Sequence, residues 1–139
     1  MMTMTEQTSR EVASSIRIEL VDNWHKDWER VYAFVDRLGQ RDALRVDSDG
    51  WLSARQNLLV AFVGDEPAAH ACFRVEPMTT GGRAMLQDGR LILQARMDAF
   101  AVESQGGVNR PGMEQLLRTS AALRARELNC RQLIGFDRE

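Results

Sequence analysis

The chain has 139 residues, of which 44% are hydrophobic and 27% are charged, which suits one globular domain with its own core. Its formal net charge of −2 provides no basic surface for nucleic acid or for an anionic membrane. No apolar run reaches the ~20 residues of a transmembrane helix, and the 2 cysteines lack the neighbouring ligands of a metal site. We predict a cytoplasmic protein without a metal, with a disordered segment over residues 1–14 and a single domain over residues 15–139.

The first part of the chain predicts a strand and a helix. Residues Ile16–Val21 alternate between apolar and polar side chains, as a half-buried strand does. Asp22 or Asn23 can cap a helix that follows directly, and Gly39 can end it. The apolar stripe of this helix recurs at spacings of four, three, four and three, and consists of Trp24, Trp28, Val31, Val35 and Leu38. Residues 41–55 predict a short, broken second helix.

A hairpin follows. Residues 58–63 and 68–75 predict two paired strands, because the segment between them has the composition of a turn. Alternation along the second strand places Ala69, Ala71, Phe73 and Val75 on one face, and His70, Cys72 and Arg74 on the other. We interpret His70 as a satisfied interior residue rather than as a ligand or a catalytic group. Residues 76–90 contain Pro77 and three glycines, and they predict a mobile connection.

The last third of the chain predicts a strand, a loop, a helix and another strand. The strand covers residues 91–102, the loop 103–112, the helix 113–129 and the last strand 132–136. A strand that enters a helix through a glycine-bearing turn directs several backbone N–H groups toward one point, in front of the positive end of the helix dipole. That arrangement suits a phosphate. Alternation along the strand places Leu91, Leu93, Ala95, Met97, Ala99 and Ala101 on one face, and Ile92, Gln94, Arg96, Asp98, Phe100 and Val102 on the other.

The predicted order is strand, helix, helix, strand, strand, strand, helix, strand, which indicates an α/β fold with a mixed sheet covered on both faces. This order resembles the GNAT superfamily of acyl-CoA-dependent N-acetyltransferases, from about Ile16 to Phe136, and ends after the fifth strand. The resemblance rests on residues 97–102 as the central strand, on residues 109–113 as the pyrophosphate loop, and on residues 116–128 as the helix after it.

The resemblance implies acetyl-CoA as co-substrate and an amine as acceptor. In that family, backbone groups at the strand end pair with the pantetheine arm, and the loop amides hold the pyrophosphate of CoA. The residues at these positions are Phe100, Val102, Arg110, Gly112 and Met113. The family loop runs Arg/Gln-x-x-Gly-x-Gly/Ala, whereas here Pro111 replaces its first glycine and Met113 its last. A shift of one residue would let Arg110 and Gly112 serve instead.

Two carboxylates are candidates for the chemical step. Transfer of an acetyl group to an amine is helped by a base that takes the ammonium proton, directly or through water. Asp98 and Glu103 are the candidates, and we favour Glu103 because Arg96 beside Asp98 would hold that carboxylate in its charged form. In the alternative interpretation, Arg96 and Asp98 are ordinary partners of the neighbouring strands.

The family usually continues with elements that complete the acceptor pocket and often carry a tyrosine acid, whereas the single tyrosine of this sequence, Tyr32, lies on the first helix. We therefore expect the fifth strand to present an edge that a second copy of the chain covers. Two functions remain open. One is an N-acyltransferase, and the other is a non-catalytic GNAT-like module that senses CoA or binds proteins as a homodimer.

Overall fold

A computed structural model describes residues 16–103 and 110–135. In chain order its elements are β1 (Ile16–Val21), α1 (Trp28–Arg37), a 3₁₀ turn (Arg41–Ala43), β2 (Gln56–Val63), β3 (Glu66–Pro77), β4 (Thr79–Thr80), β5 (Arg83–Ala84), β6 (Leu86–Gln87), β7 (Arg90–Leu91), β8 (Leu93–Val102), α2 (Arg110–Glu127) and β9 (Cys130–Ile134). The predicted disordered segment 1–14, the loop residues 104–109 and Phe136 lie outside the described residues.

The main sheet has five strands in the order β1-β2-β3-β8-β9. The first four strands pair antiparallel, and β9 pairs parallel to β8. A parallel pair needs a crossover connection, and α2 lies in the connection between β8 and β9. The predicted mixed sheet is therefore confirmed, and the crossover places the start of α2 after the end of β8.

The two helices cover opposite faces of this sheet. α2 buries four side chains at spacings of four residues, and these are Met113, Leu117, Ala121 and Ala125. They form one core with inward-facing residues of the sheet such as Phe73 and Ala95. α1 buries Val31, Phe34 and Val35 in a second core on the other face. Within the described ranges, neither helix is long and apolar enough to cross a membrane.

The first helix begins later than its apolar stripe predicts. α1 starts at Trp28 with Asp27 as its N-cap residue, while the carboxylate of Asp22 accepts the backbone N–H of Trp24 at 2.9 Å. This contact organises a turn before the helix, so the capping prediction was wrong. Trp24 is 74% exposed and contacts the ring of Trp51 edge-on, with centroids 4.9 Å apart. The remaining four residues of the predicted stripe do pack in the second core.

The predicted second helix is reduced to the single 3₁₀ turn Arg41–Ala43. After it, a β-bridge joins Val46 to Leu52. Between these two residues the carboxylate of Asp47 accepts the backbone N–H groups of Asp49 and Trp51, at 2.9 and 3.0 Å. An aspartate that bonds to the following backbone in this way favours a turn over a helix.

The predicted connection over residues 76–90 contains regular structure instead. β3 continues to Pro77, and two short hairpins follow, β4 with β5 and β6 with β7. The first hairpin turns at Gly81 and Gly82, which have φ angles of 59° and 79°. Positive φ at both central residues is what a tight two-residue hairpin turn requires, and glycine adopts it without strain.

A β-bulge in β8 changes which side chains face which helix. Phe73 of β3 pairs with Met97, but Cys72 pairs with Ala99, so Asp98 is one extra residue. Alternation holds up to Met97 and reverses after the bulge. Ala99 therefore faces α1, contrary to the prediction. The residues predicted on the opposite face from Met97, namely Phe100 and Val102, share its face and pack toward α2.

Candidate cofactor and acceptor site

The most distinctive feature of the sheet is the separation of β8 from β9. β9 pairs with β8 at Leu93, Ala95 and Arg96, and the last partner is Ile134. β8 continues to Val102. Within the described part of the chain, residues 97–102 therefore have no partner strand on the β9 side, and we call this edge the strand gap. An unpaired strand edge can form backbone hydrogen bonds with an extended ligand.

Gly135 marks the point where the two strands separate. A Cβ atom added to Gly135 would lie 3.1 Å from the Cβ of Met97 and 3.2 Å from its carbonyl oxygen. Gly135 also has a φ of 102°, which side chains other than hydrogen disfavour. A glycine here lets the chain pass closely over Met97, which is the first residue of the strand gap.

The first turn of α2 contains residues that the sequence assigns to a loop. The helix begins at Arg110, three residues before the predicted start, so Arg110, Pro111 and Gly112 are helical. Proline is favoured in the first turn because its φ suits a helix and its missing N–H would have no acceptor within the helix. The first turn carries the positive end of the helix dipole. The rest of the predicted pyrophosphate loop, residues 104–109, lies outside the described residues.

Three of the five predicted cofactor residues lie together. Val102 and Met113 are buried in the core between β8 and α2, and the partly exposed ring of Phe100 packs against that core. The guanidinium of Arg118 lies 5.8 Å from the centre of the Phe100 ring, a distance at which cations attract aromatic rings. These contacts join the start of α2 to the end of β8, beside the strand gap.

The other two predicted cofactor residues, Arg110 and Gly112, are exposed in the first turn of α2. The Nε of Arg110 donates to Glu114 at 3.1 Å, one turn further along the helix. Because this ion pair is exposed, its net stabilisation is small, and Arg110 could exchange it for a phosphate group of a ligand.

Asp98, the bulged residue, holds its carboxylate on the face of the sheet that α1 partly covers. Its Oδ2 accepts a hydrogen bond from Gln56 at 3.1 Å, and its Oδ1 lies 3.5 Å from the Nε of Arg74. The arginine that the sequence placed beside Asp98 pairs elsewhere, since Arg96 donates to Glu76 at 2.6 Å. That hydrogen bond lowers the pKa of Glu76. The neighbour of Asp98 is therefore Arg74, on the adjacent strand.

Glu103 lies directly after β8 and connects it to α1. Its backbone N–H donates to the carbonyl of Ala68 at 2.9 Å. One terminal nitrogen of Arg37, the last residue of α1, lies 3.1 and 3.2 Å from the two carboxylate oxygens. The side chain of Glu103 remains 23% exposed. Each candidate base thus contacts an arginine that the sequence did not indicate. For Glu103, the one feature of the sequence that could have indicated its partner was the position of Arg37 in the last turn of the predicted helix.

His70 lies in the interior under α1, with no exposed surface. Among the described residues, neither ring nitrogen has a hydrogen-bond partner, so this interior histidine is not the satisfied one that the sequence predicted. Burial lowers its pKa from 6.5 to about 4. Burial also raises the pKa of Cys72 to about 12, with a smaller contribution from Asp98. A neutral imidazole and a protonated thiol on this face do not form a nucleophilic pair.

Residues 16–103 and 110–135 include no group of three or more His, Cys, Asp or Glu side chains that could hold a metal ion. The candidate site therefore consists of a strand edge, a helix N-terminus and two carboxylates. This combination can bind an extended ligand with an anionic end and can accept a proton beside it.

The fold of the chain is similar to that of several solved acetyltransferase structures. The chain superposes on an aminoglycoside acetyltransferase from an uncultured soil metagenomic sample with a TM-score of 0.60 and 14% identity, covering 88% of this chain and 78% of that one. It superposes on a ribosomal-protein-alanine N-acetyltransferase from Brucella melitensis biovar Abortus 2308 with a TM-score of 0.60 and 16% identity, covering 86% of this chain and 78% of that one. It superposes on a GNAT family acetyltransferase from Staphylococcus aureus with a TM-score of 0.54 and 14% identity, covering 90% of this chain and 98% of that one.

These likenesses establish the fold. The chain has a GNAT-like α/β fold, as the order of its predicted elements indicated. No protein-family model and no curated protein matches the sequence. At identities of 14% to 16% a shared fold does not establish a shared reaction, which has to be argued from the site.

Proposed function

We propose that the protein is an N-acyltransferase that moves an acetyl group from acetyl-CoA to an amine of a small molecule or protein. The observation that carries this proposal is the strand gap beside the first turn of α2, on a fold shared with acetyltransferases. Both cysteines are free thiols, which supports the predicted cytoplasmic location, where CoA substrates are met in reducing conditions.

In this proposal the strand gap binds the extended arm of acetyl-CoA. Backbone groups of residues 97–102 pair with its amides, as they would with an added strand. Phe100, Val102 and Met113 supply the apolar side of the site, and the first turn of α2 lies toward the pyrophosphate. Arg110 adds a full positive charge there. Pro111 contributes no donor, so Arg110 and Gly112 carry more of the phosphate binding than in the family loop.

The reaction needs one proton acceptor. The acceptor ammonium gives up a proton, the free amine attacks the thioester carbon, and backbone N–H groups of the gap stabilise the oxyanion. A C–N bond forms, the C–S bond breaks, and the CoA thiolate takes up a proton. We assign the base to Glu103, acting through water because Arg37 lies against both of its oxygens. Asp98, whose carboxylate is 12% exposed, is the second candidate.

The chemical assignment is tested with a Glu103→Gln variant. We expect release of free CoA thiol from acetyl-CoA in the presence of an accepted amine, and a kcat about 10²–10⁴-fold lower in the variant, since that is the usual contribution of a general base. Glu127→Gln, at the exposed end of α2, is the matched control and should keep the wild-type rate. An unchanged kcat in Glu103→Gln would remove Glu103 from the mechanism and leave Asp98→Asn to be measured.

Cofactor binding is tested separately, by titration calorimetry with acetyl-CoA. A Gly112→Trp variant places a bulky side chain at the first turn of α2, and it should weaken binding at least about tenfold if the pyrophosphate lies there. Thr119→Trp lies two turns away on the same face of the helix, about 10 Å along its axis, and should bind like the wild type. Equal affinity in all three proteins would contradict this location for the cofactor.

The second candidate function is a non-catalytic module that binds CoA or a protein partner as a homodimer. It is favoured by the arginines that already contact Asp98 and Glu103, and by β9, which pairs with a single strand among the described residues. This candidate predicts acetyl-CoA binding without thiol release for any amine, together with a dimeric mass in light scattering at micromolar concentration. A monomeric mass would argue against pairing through the β9 edge.

A further inference from the structure

We propose that a cleft at the other end of the sheet binds a second small ligand, an anion with an apolar part. The cleft has a volume of about 820 Å³, within the range of small-molecule sites. Its lining includes Arg55, Arg74, Arg124 and Asn57, and we call it the arginine cleft. It lies beside Leu93, the first residue of β8, whereas the strand gap lies along the second half of that strand.

Asn57 gives the arginine cleft an ordered polar floor. Its side chain is nearly buried, at 9% exposure, and its Oδ1 accepts a hydrogen bond from the Nε of Arg124 at 3.2 Å. This contact fixes the orientation of the amide group and holds Arg124 over the cleft. Because the oxygen is engaged, the amide nitrogen of Asn57 is the atom that can donate to a ligand.

The lining carries an excess of positive charge. Glu76 is the one carboxylate among the lining residues, and its closest partner is Arg96, which lies outside the cleft. Within the described ranges Arg55 forms no ion pair, and Arg124 pairs with the exposed carboxylate of Glu127 at 3.1 Å. Such exposed pairs contribute little and exchange readily. Guanidinium groups bind carboxylates and phosphates through two parallel hydrogen bonds, so Arg55 and Arg124 in one concave site favour an anion. The Nε of Arg74 already lies 3.7 Å from Glu76 and 3.5 Å from Asp98.

The end of α2 that borders the cleft opposes this selection but does not reverse it. Arg124 and Leu128 belong to the last turn of the helix and the residue after it, where the helix dipole amounts to about half a negative charge. The two full positive charges of Arg55 and Arg124 outweigh it.

The remaining walls define the other part of the ligand. Val75, Leu93 and Leu128 line the cleft and are all partly exposed. Apolar side chains beside a few charged groups are typical of a site for an organic ligand rather than for an inorganic ion. The ligand that this lining fits therefore has an anionic head on an apolar body, and both a carboxylate and a phosphate monoester can supply that head.

The arginine cleft is connected to the bulge of β8 through Arg74. The Nε of Arg74 is buried without a hydrogen bond among the described residues, and it lies 3.5 Å from the Oδ1 of Asp98. An anion that draws this guanidinium into the cleft would weaken its contact with Asp98. We therefore expect a ligand in the arginine cleft to change the contact of Asp98 at the bulge, next to the strand gap.

The test uses the full chain in low-salt buffer and three probes, which are hexanoate, hexyl phosphate and the neutral hexanol. Nitrogen–proton NMR spectra follow the side-chain amide of Asn57 and the Nε–H of Arg124. We expect saturable shifts of both signals with one or both anions and no comparable shift with hexanol. The anion that binds more tightly identifies the head group. Absence of shifts with both anions, or equal binding of hexanol, would overturn the proposal.

Substitutions distinguish the arginine cleft from general surface charge. Arg55→Met removes a side chain that forms no ion pair with the described residues, so the fold is retained, and the affinity should fall at least about fivefold. Arg124→Met should have a larger effect because it also releases Asn57. Arg126→Met, on the same helix but outside the cleft, is the control and should bind like the wild type. Equal losses in Arg55→Met and Arg126→Met would contradict the cleft as the binding site. Because no arm uses acetyl-CoA, the result is independent of the proposed acetyl transfer.

Discussion

At the scale of single residues, His70 is a histidine whose positive charge the fold disfavours. Its ring is fully buried, and the described residues offer no acceptor for a proton on either nitrogen. The pKa is about 4 in the folded protein against 6.5 for an exposed histidine. Between these values the unfolded chain binds a proton that the folded protein does not bind. The contribution of His70 to the free energy of unfolding is therefore fully present above about pH 6.5 and is lost as the pH falls toward 4.

We predict that this single group removes up to about 3 kcal/mol of unfolding free energy between pH 7 and pH 4, at 1.36 kcal/mol per pKa unit. Urea unfolding at both pH values, compared with a His70→Leu variant, measures the effect. The variant should lose less stability on acidification by that amount. Parallel pH profiles for the two proteins would show that His70 is reached by water or by a partner in solution.

Residue-scale chemistry also explains why the base could not be chosen from the sequence. Asp98 and Glu103 differ by five positions, yet each contacts an arginine from another element. The partner of Glu103, Arg37, lies 66 positions away in the sequence. No local pattern reports a contact over that separation, and strand alternation also placed Phe100 and Val102 on the wrong face because it does not register the bulge at Asp98.

At the scale of elements, α2 is attached to the sheet by one stripe of side chains. Leu117 is fully buried in that stripe, and Leu123, on the same helix, is 55% exposed. We predict that Leu117→Ala costs about 2–5 kcal/mol of unfolding free energy, since it removes buried methyl groups and leaves a cavity.

Leu123→Ala serves as the control for the same chemical change and should cost less than about 1 kcal/mol. Denaturant unfolding with an unchanged slope for both variants supplies the comparison. Similar losses for the two substitutions would mean that the outer side of α2 is also covered in solution, as a dimer or a partner would cover it.

The elements that the sequence predicted poorly are those that local hydrogen bonds decide. Asp47 accepts the N–H groups of Asp49 and Trp51 and so forms a turn where the sequence predicted the second helix to continue. Asp22 accepts the N–H group of Trp24 and so forms a turn before α1. Aspartate is compatible both with a helix cap and with such turns, and the choice depends on contacts such as that between Trp24 and Trp51.

At the scale of the whole molecule, the sheet is not uniformly supported. β3 pairs along most of its length with both β2 and β8, whereas β9 pairs with β8 at three positions. Stability in proteins varies in this way between central and peripheral elements. The order of strands and helices was predictable because periodicity and turn composition are local signals, while the place where β9 leaves β8 depends on the close approach of Gly135 to Met97.

We predict that backbone amides of β3 exchange with solvent deuterium at least about tenfold more slowly than those of β9. Hydrogen–deuterium exchange followed by mass spectrometry resolves both strands. Acetyl-CoA should slow exchange of the backbone amides of residues 97–102 of β8 if it fills the strand gap. Equal protection of the two strands in the free protein would indicate that another chain covers the β9 edge.

The bulge at Asp98 has a consequence for how this chain tolerates insertions and deletions. Because one extra residue reverses the alternation, a chain lacking Asp98 would have a strand of uninterrupted register. In that strand Met97, Phe100 and Val102 would still face α2 and Ala99 would still face α1, because removal of the extra residue restores simple alternation. We therefore expect deletion of Asp98 to preserve the packing of β8 against both helices, whereas deletion of one residue in the regular part of the strand would turn its neighbours to the opposite face. The tight turns of the β4–β5 and β6–β7 hairpins should accept changes in length.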